Sequence, residues 1–109
     1  MTVELSVLVP AFNEEGNLPE LVERTERVFD RRGIVGEIIL VNDGSSDGTA
    51  ADVDRLTATD PRVIGVHHPT NQGMAAAWKT GLLRASGRYV LTIDADLQYQ
   101  PEALSLIHI

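Results

Sequence analysis

Glu37-Ile38-Ile39-Leu40-Val41-Asn42-Asp43-Gly44-Ser45-Ser46-Asp47-Gly48-Thr49 decides the fold. Residues 37–41 are an apolar run rich in β-branched side chains, which reads as a buried strand. The next eight residues hold two glycines and six short polar side chains, the composition of a turn. Ser46 or Asp47 can then cap a helix that runs to about Thr59. Strand, Gly-rich turn and helix follow one another without a spacer, so the chain builds a strand-turn-helix unit.

Working outward, the same theme recurs. Residues 5–9, 63–66 and 89–93 are further β-rich apolar runs, the first ended by Pro10. Leu18, Leu21, Val22, Thr25, Val28 and Phe29 recur at helical spacing, with Asn17 as N-cap and Glu20 three residues on. Met74, Ala77, Trp78, Leu82 and Ala85 line one face of a third helix that Gly87 can end. The order β-α-β-α-β-α-β predicts four buried strands in a mainly parallel sheet, a three-layer α/β/α sandwich.

Composition bounds the function. The 109 residues carry 43% hydrophobic and 23% charged side chains, values of a globular domain. The net charge is −7 and the nine Lys and Arg are scattered, which argues against a nucleic-acid partner. An acidic chain that binds phosphates needs another cation. There is no cysteine, as suits a reducing compartment, so the expected location is cytoplasmic. No run is long enough for a membrane span, and no basic segment precedes the first apolar run as in a signal peptide.

In a parallel sheet, ligands gather at the carboxyl ends of the strands. Acids and amides cluster there: Asn13-Glu14-Glu15 after the first strand, Asn42 to Thr49 after the second, and Asp94-Ala95-Asp96-Leu97-Gln98 after the fourth. On an extended chain, Asp94 and Asp96 would sit about 6.6 Å apart on one side, with Ala95 turned away. Two such charges repel by roughly 2–3 kcal/mol at an effective dielectric near 20. A hard divalent cation, Mg²⁺ or Mn²⁺, would relieve this and complete its shell with substrate phosphates. The alternative is a solvated acidic turn, and a D-x-D triplet alone does not separate the two.

Four strings together are more specific. Val9-Pro10-Ala11-Phe12-Asn13-Glu14, Val41 to Thr49, Asn71-Gln72-Gly73 and Asp94-Ala95-Asp96-Leu97-Gln98, in this order, resemble the family 2 glycosyltransferases, whose fold is a nucleotide-binding α/β sandwich of the GT-A type. The last string looks most like the branch that transfers sugars to polyprenyl phosphates, such as the dolichyl- and undecaprenyl-phosphate sugar transferases. The resemblance implies a UDP- or GDP-linked sugar donor, with Pro10, Phe12 and Glu14 along the nucleoside and Asp43 hydrogen-bonded to the base. It implies that Asp94, Asp96 and Gln98 hold the metal and the diphosphate. A polyprenyl-phosphate acceptor would place the whole protein at the cytoplasmic face of a membrane. Asn42, where the family often has Asp, and Phe12, where it often has Tyr, depart from the commonest pattern.

Other residues take plainer readings. His67 and His68 follow the third strand as a loop and, being adjacent, point in different directions. Trp78 is read as core, Lys79 as solvent-facing, and Asn71-Gln72-Gly73 either as a helix cap or as a wall of the donor site. Only thirteen residues follow Asp96, whereas the resemblance puts the acceptor half and the catalytic groups there, so residues 1–103 are expected to be the nucleotide-sugar-binding part of a larger domain. Leu104-Ser105-Leu106-Ile107-His108-Ile109 matches the translation of a transposon-end adapter used in sequencing libraries and is read as a non-native tail. Two rival functions are a haloacid-dehalogenase-like phosphatase, which also places D-x-D after a strand, and a non-catalytic nucleotide-binding module. A dinucleotide dehydrogenase is disfavoured, because no G-x-G-x-x-G follows the first strand.

Overall fold

The computed structural model describes residues 2–95. Its elements alternate as expected: β1 (Leu5–Ala11), α1 (Leu18–Arg32), β2 (Gly36–Asp43), α2 (Thr49–Thr59), β3 (Val63–His68), α3 (Met74–Arg84) and β4 (Tyr89–Thr92). All strand pairs are parallel, in the order β3-β2-β1-β4. Both faces of β1 and β2 are buried, which is why their sequences are continuously apolar rather than alternating.

The two faces have separate cores. Val7, Val9, Ile38 and Leu40 face α1 and α2 and meet Leu18, Leu21, Phe29 and Val53. Leu8, Ile39 and Val41 face α3 and meet Ala77. The three-layer expectation therefore holds, and strand parity assigns each later side chain to a face.

Several local expectations need correction. Pro10 does not end β1, which continues to Ala11 opposite Asn42. Leu8 O accepts the Ile93 amide at 3.0 Å, so the backbone of Leu8, and by parity that of Pro10, is directed to the β4 side. The β4 ladder ends at Leu8↔Thr92, leaving Pro10 beyond it with no bond to donate. Asn17 is the N-cap of α1 by position but has helical dihedrals and its side chain caps nothing; its side-chain amide donates to Glu14 Oε2 at 2.8 Å. Gly48, not Ser46 or Asp47, is the N-cap residue of α2, while Asp47 Oδ1 still accepts the Thr49 amide at 2.9 Å from one position earlier.

The third helix and fourth strand differ most. α3 touches the sheet through Ala77 and Gly81, and a Cβ on Gly81 would lie 2.3 Å from Leu8 Cδ1. That close approach rotates Trp78 to 44% exposure, with Met74 and Leu82 also exposed, so Trp78 is not core in this chain. The helix stops at a C-cap at Ala85 instead of Gly87, whose amide donates to Ser6 Oγ at 2.8 Å. β4 is an edge strand with mostly exposed side chains, not a fourth buried strand, because no described element covers its outer side.

Candidate functional site

The carboxyl ends of β1 and β2 converge on α3. Parity turns Pro10 and Asp43 to the α3 face, where a cavity of about 210 Å³ is lined by Pro10, Ala11, Phe12, Asp43, Asn71, Gly73, Met74 and Ala77. Of the residues expected along a nucleoside, the structure thus brings Pro10, Phe12 and Asp43 together. Glu14 is not among the lining residues; it belongs to the adjoining β1-α1 loop, where its amide donates to Thr49 Oγ1 at 2.8 Å.

Asp43 is the best-connected side chain of the site. It is buried, and its Oδ1 accepts from the Gln72 amide and from His68 Nδ1, both at 2.8 Å. Its Oδ2 accepts from the Gly73 amide at 2.9 Å and the Asn71 side-chain amide at 3.2 Å. Burial alone would push this carboxyl up. The hydrogen bonds from His68 and from the Gln72 and Gly73 amides outweigh that and hold it below its ordinary value, so Asp43 is ionised. Asn71-Gln72-Gly73 accordingly does two things, binding Asp43 and walling the cavity. No side chain caps α3.

The two histidines are where the sequence reading missed a role. They are not a loop but the last residues of β3, and parity sends them to opposite faces. His67 lies on the α2 side, with Nδ1 accepting from the Asn42 amide at 3.0 Å and Nε2 donating to Asp54 at 2.9 Å. His68 lies on the cavity side between Asp43 and Thr80, whose hydroxyl is 2.7 Å from Nε2. Strand parity counted through residue 68 was the signal available.

The β1-α1 and β2-α2 loops are tied together. Asn13, at φ 54°, accepts the Ser46 amide through Oδ1 and donates its own amide to Ser45 Oγ; Glu15 Oε1 accepts the Gly48 amide at 2.7 Å and Asp52 the Gly16 amide at 2.8 Å. Gly44, at φ 68°, brings the backbone of residues 70–71 so close that a Cβ would lie 2.2 Å from Thr70 C. Only glycine meets both demands.

Asp94 stands exposed past the end of β4, which stops at Thr92, between buried Ile93 and Ala95. Asp96 and Gln98 lie outside the described residues, as do residues 104–109. Among the described residues no cluster of three or more metal-ligating side chains occurs. The exposed Asp94 carboxylate, at the cavity's end of the sheet, has the oxygen-donor chemistry that suits a hard cation. No described helix is long and apolar enough to cross a membrane.

Comparison with known proteins agrees with the fold. The chain is 37% identical over 102 residues to an undecaprenyl-phosphate 4-deoxy-4-formamido-L-arabinose transferase of Salmonella paratyphi B, covering 93% of this chain and 31% of the relative. It thus spans about a third of the length of such curated relatives. Among solved structures, a mannosyltransferase of Pyrobaculum calidifontis in complex with GDP-Man and Mn²⁺ superposes with a TM-score of 0.75 at 30% identity, over 88% of this chain and 28% of that one. Staphylococcus aureus TarS (residues 1–349) with UDP-GlcNAc gives a TM-score of 0.71 at 27% identity, over 86% and 27% of the two chains. None of these relatives supports the phosphatase or the non-catalytic module. The model of "Glycosyl transferase family 2" matches residues 6–107, nearly the whole sequence, and the chain belongs to that family.

Proposed function

We propose that this chain is the donor-nucleotide end of a glycosyltransferase that moves a sugar from a UDP- or GDP-linked donor to a polyprenyl-phosphate acceptor. The cavity beside Asp43 is the observation that carries the reading. It is largely apolar, stands where parallel sheets bind nucleotides, and has one ionised acceptor in its wall. Pro10 and Phe12 offer flat apolar surface to a base. Asp43 accepts a base N–H in place of the Asn71 amide, the longest of its four contacts. Glu14 lies along the nucleoside in the adjoining loop.

Asp94, Asp96 and Gln98 would hold Mg²⁺ or Mn²⁺ with the diphosphate. When bound, the ion offsets the negative charge that develops on the leaving diphosphate. An acidic chain with scattered basic residues has few other means of holding phosphates, which favours the metal reading. The curated relative named for undecaprenyl phosphate supports the acceptor class. Such an acceptor is embedded in a membrane, so the whole protein would work at a membrane surface.

The test is calorimetric titration of UDP and GDP with Mn²⁺, Mg²⁺ or EDTA. Metal is expected to tighten binding at least tenfold, and Asp94→Ala to abolish the gain. Equal affinity in EDTA would remove the metal from this account.

A further inference from the structure

We infer that His68 is a positioning residue for the donor cavity: held between Asp43 and Thr80, its ring fixes the Asp43 carboxylate and, through it, the loop that walls the pocket. The inference rests on the donor-site reading of Asp43. An ionised carboxylate only accepts, so His68 Nδ1 carries the hydrogen and donates to Oδ1. In the neutral ring Nε2 must then accept, and the Thr80 hydroxyl, 2.7 Å away on α3, supplies the hydrogen. The ring is buried, so the pair is shielded from competing water.

The consequence is geometric. With Oδ1 pinned by His68, the plane of the carboxylate is set, and both oxygens are presented to Gln72 N, Gly73 N and Asn71. Asn71, Gly73 and Met74 of that same segment line the cavity opposite Pro10 and Phe12. Thr80 ties the ring to the helix whose first turn forms the wall. β3, β2 and α3 are therefore registered to one another by a single imidazole.

Two substitutions separate positioning from simple space-filling. His68→Leu keeps much of the ring's bulk without a donor, whereas His68→Asn keeps an N–H near the position of Nδ1–H with less bulk. Calorimetry of GDP and UDP in Mn²⁺ is expected to show at least a tenfold loss for His68→Leu, near-retention within about threefold for His68→Asn, and a smaller loss for Thr80→Val, with circular dichroism checking that each variant is folded. Equal affinity of His68→Leu and the parent chain, or an equal loss in both His68 variants, overturns the proposal. Should His68→Leu not fold, ¹⁵N NMR of the parent chain decides. A ring protonated at Nδ1 and bare at Nε2 supports the proposal, and the opposite tautomer overturns it. Phe12→Ala reports on the cavity without touching Asp43. If it loses affinity while His68→Leu does not, only the positioning role falls; if Phe12→Ala and Asp43→Asn both bind as the parent does, the donor-site reading falls and takes this inference with it.

Discussion

At the residue scale, Asp43 and Gly44 hold the site together, and each gives a prediction. Asp43→Ala removes an ionised acceptor from the cavity and should weaken UDP or GDP binding by about 1.5–3 kcal/mol, the range for a hydrogen bond to a charged group, with metal dependence retained. Calorimetry checks it, and unchanged affinity would move the base elsewhere. The same carboxylate is held below its ordinary value of 3.8, so its ionised form contributes stability that is complete above about pH 4 and is lost as the pH falls further. Thermal melts of Asp43→Asn should lack that part of the acid limb. Gly44→Ala combines a left-handed φ of 68° with a contact of 2.2 Å to backbone that cannot swing aside. It should cost at least about 1–2 kcal/mol of stability and open the loop at residues 70–71. Hydrogen exchange at Gln72 and Gly73 would register the opening as faster exchange of amides that now bond Asp43.

At the element scale, two carboxylates, the buried Glu37 and the half-buried Glu26, join neighbouring elements at the end of the sheet away from the cavity. Glu37 of β2 accepts from Ser6 Oγ of β1 at 2.6 Å, and from the amide and hydroxyl of Ser86 in the α3-β4 turn at 2.8 and 3.0 Å. Glu37→Ala strands these donors and should lower stability by roughly 2–4 kcal/mol in denaturant titration. A loss near zero would mean that water replaces the carboxylate. Glu26 joins α1 to the start of β3. Its Oε2 is buried without a hydrogen bond, 3.3 Å from Arg62 Nε, and burial, then the neighbouring Asp60, pushes the carboxyl up from 4.5 to about 7. Between pH 4.5 and 7 the folded chain keeps a proton that the unfolded chain has lost, so stability falls as pH rises through that window. Glu26→Gln keeps the neutral form at every pH. It should flatten this slope and raise the melting temperature above pH 7 by roughly 5 °C; a slope as steep as the parent's would contradict the assignment.

At the scale of the whole molecule, the described residues form a cavity beside Asp43 with one side open to solvent. β4 presents an exposed edge, and Trp78, Leu82, Leu83, Tyr89 and Val90 leave the faces of α3 and β4 uncovered. A transferase gains much of its rate by holding two substrates together and excluding water. Because the chain spans about a third of the length of its curated relatives, it is expected, as it stands, to bind donor nucleotide but to transfer no sugar. The check is a radiolabelled-donor assay with polyprenyl phosphate, run beside a full-length homologue under the same metal conditions. Turnover close to the homologue's rate would show that the chain supplies both halves of the site.

The order of elements, the parallel sheet, the family and the shared sheet edge of Pro10, Phe12 and Asp43 were legible in the sequence. Those follow from local signals: continuous apolar runs such as Leu5–Ala11, the stripe from Leu18 to Phe29, and turn chemistry at 42–49. Pro10, Phe12 and Asp43 could be placed at one edge because parallel strands put their carboxyl ends together. The tertiary structure alone decided that Asp43 is locked by four donors, that His68 rather than His67 reaches it, and that α3 meets the sheet through Ala77 and Gly81 with Trp78 turned outward. These depend on how close α3 approaches β1 and on the register between β2 and β3, which pairs Asp43 with His68. Such distances are set by contacts between residues far apart in the chain, and periodicity within a segment carries no record of them.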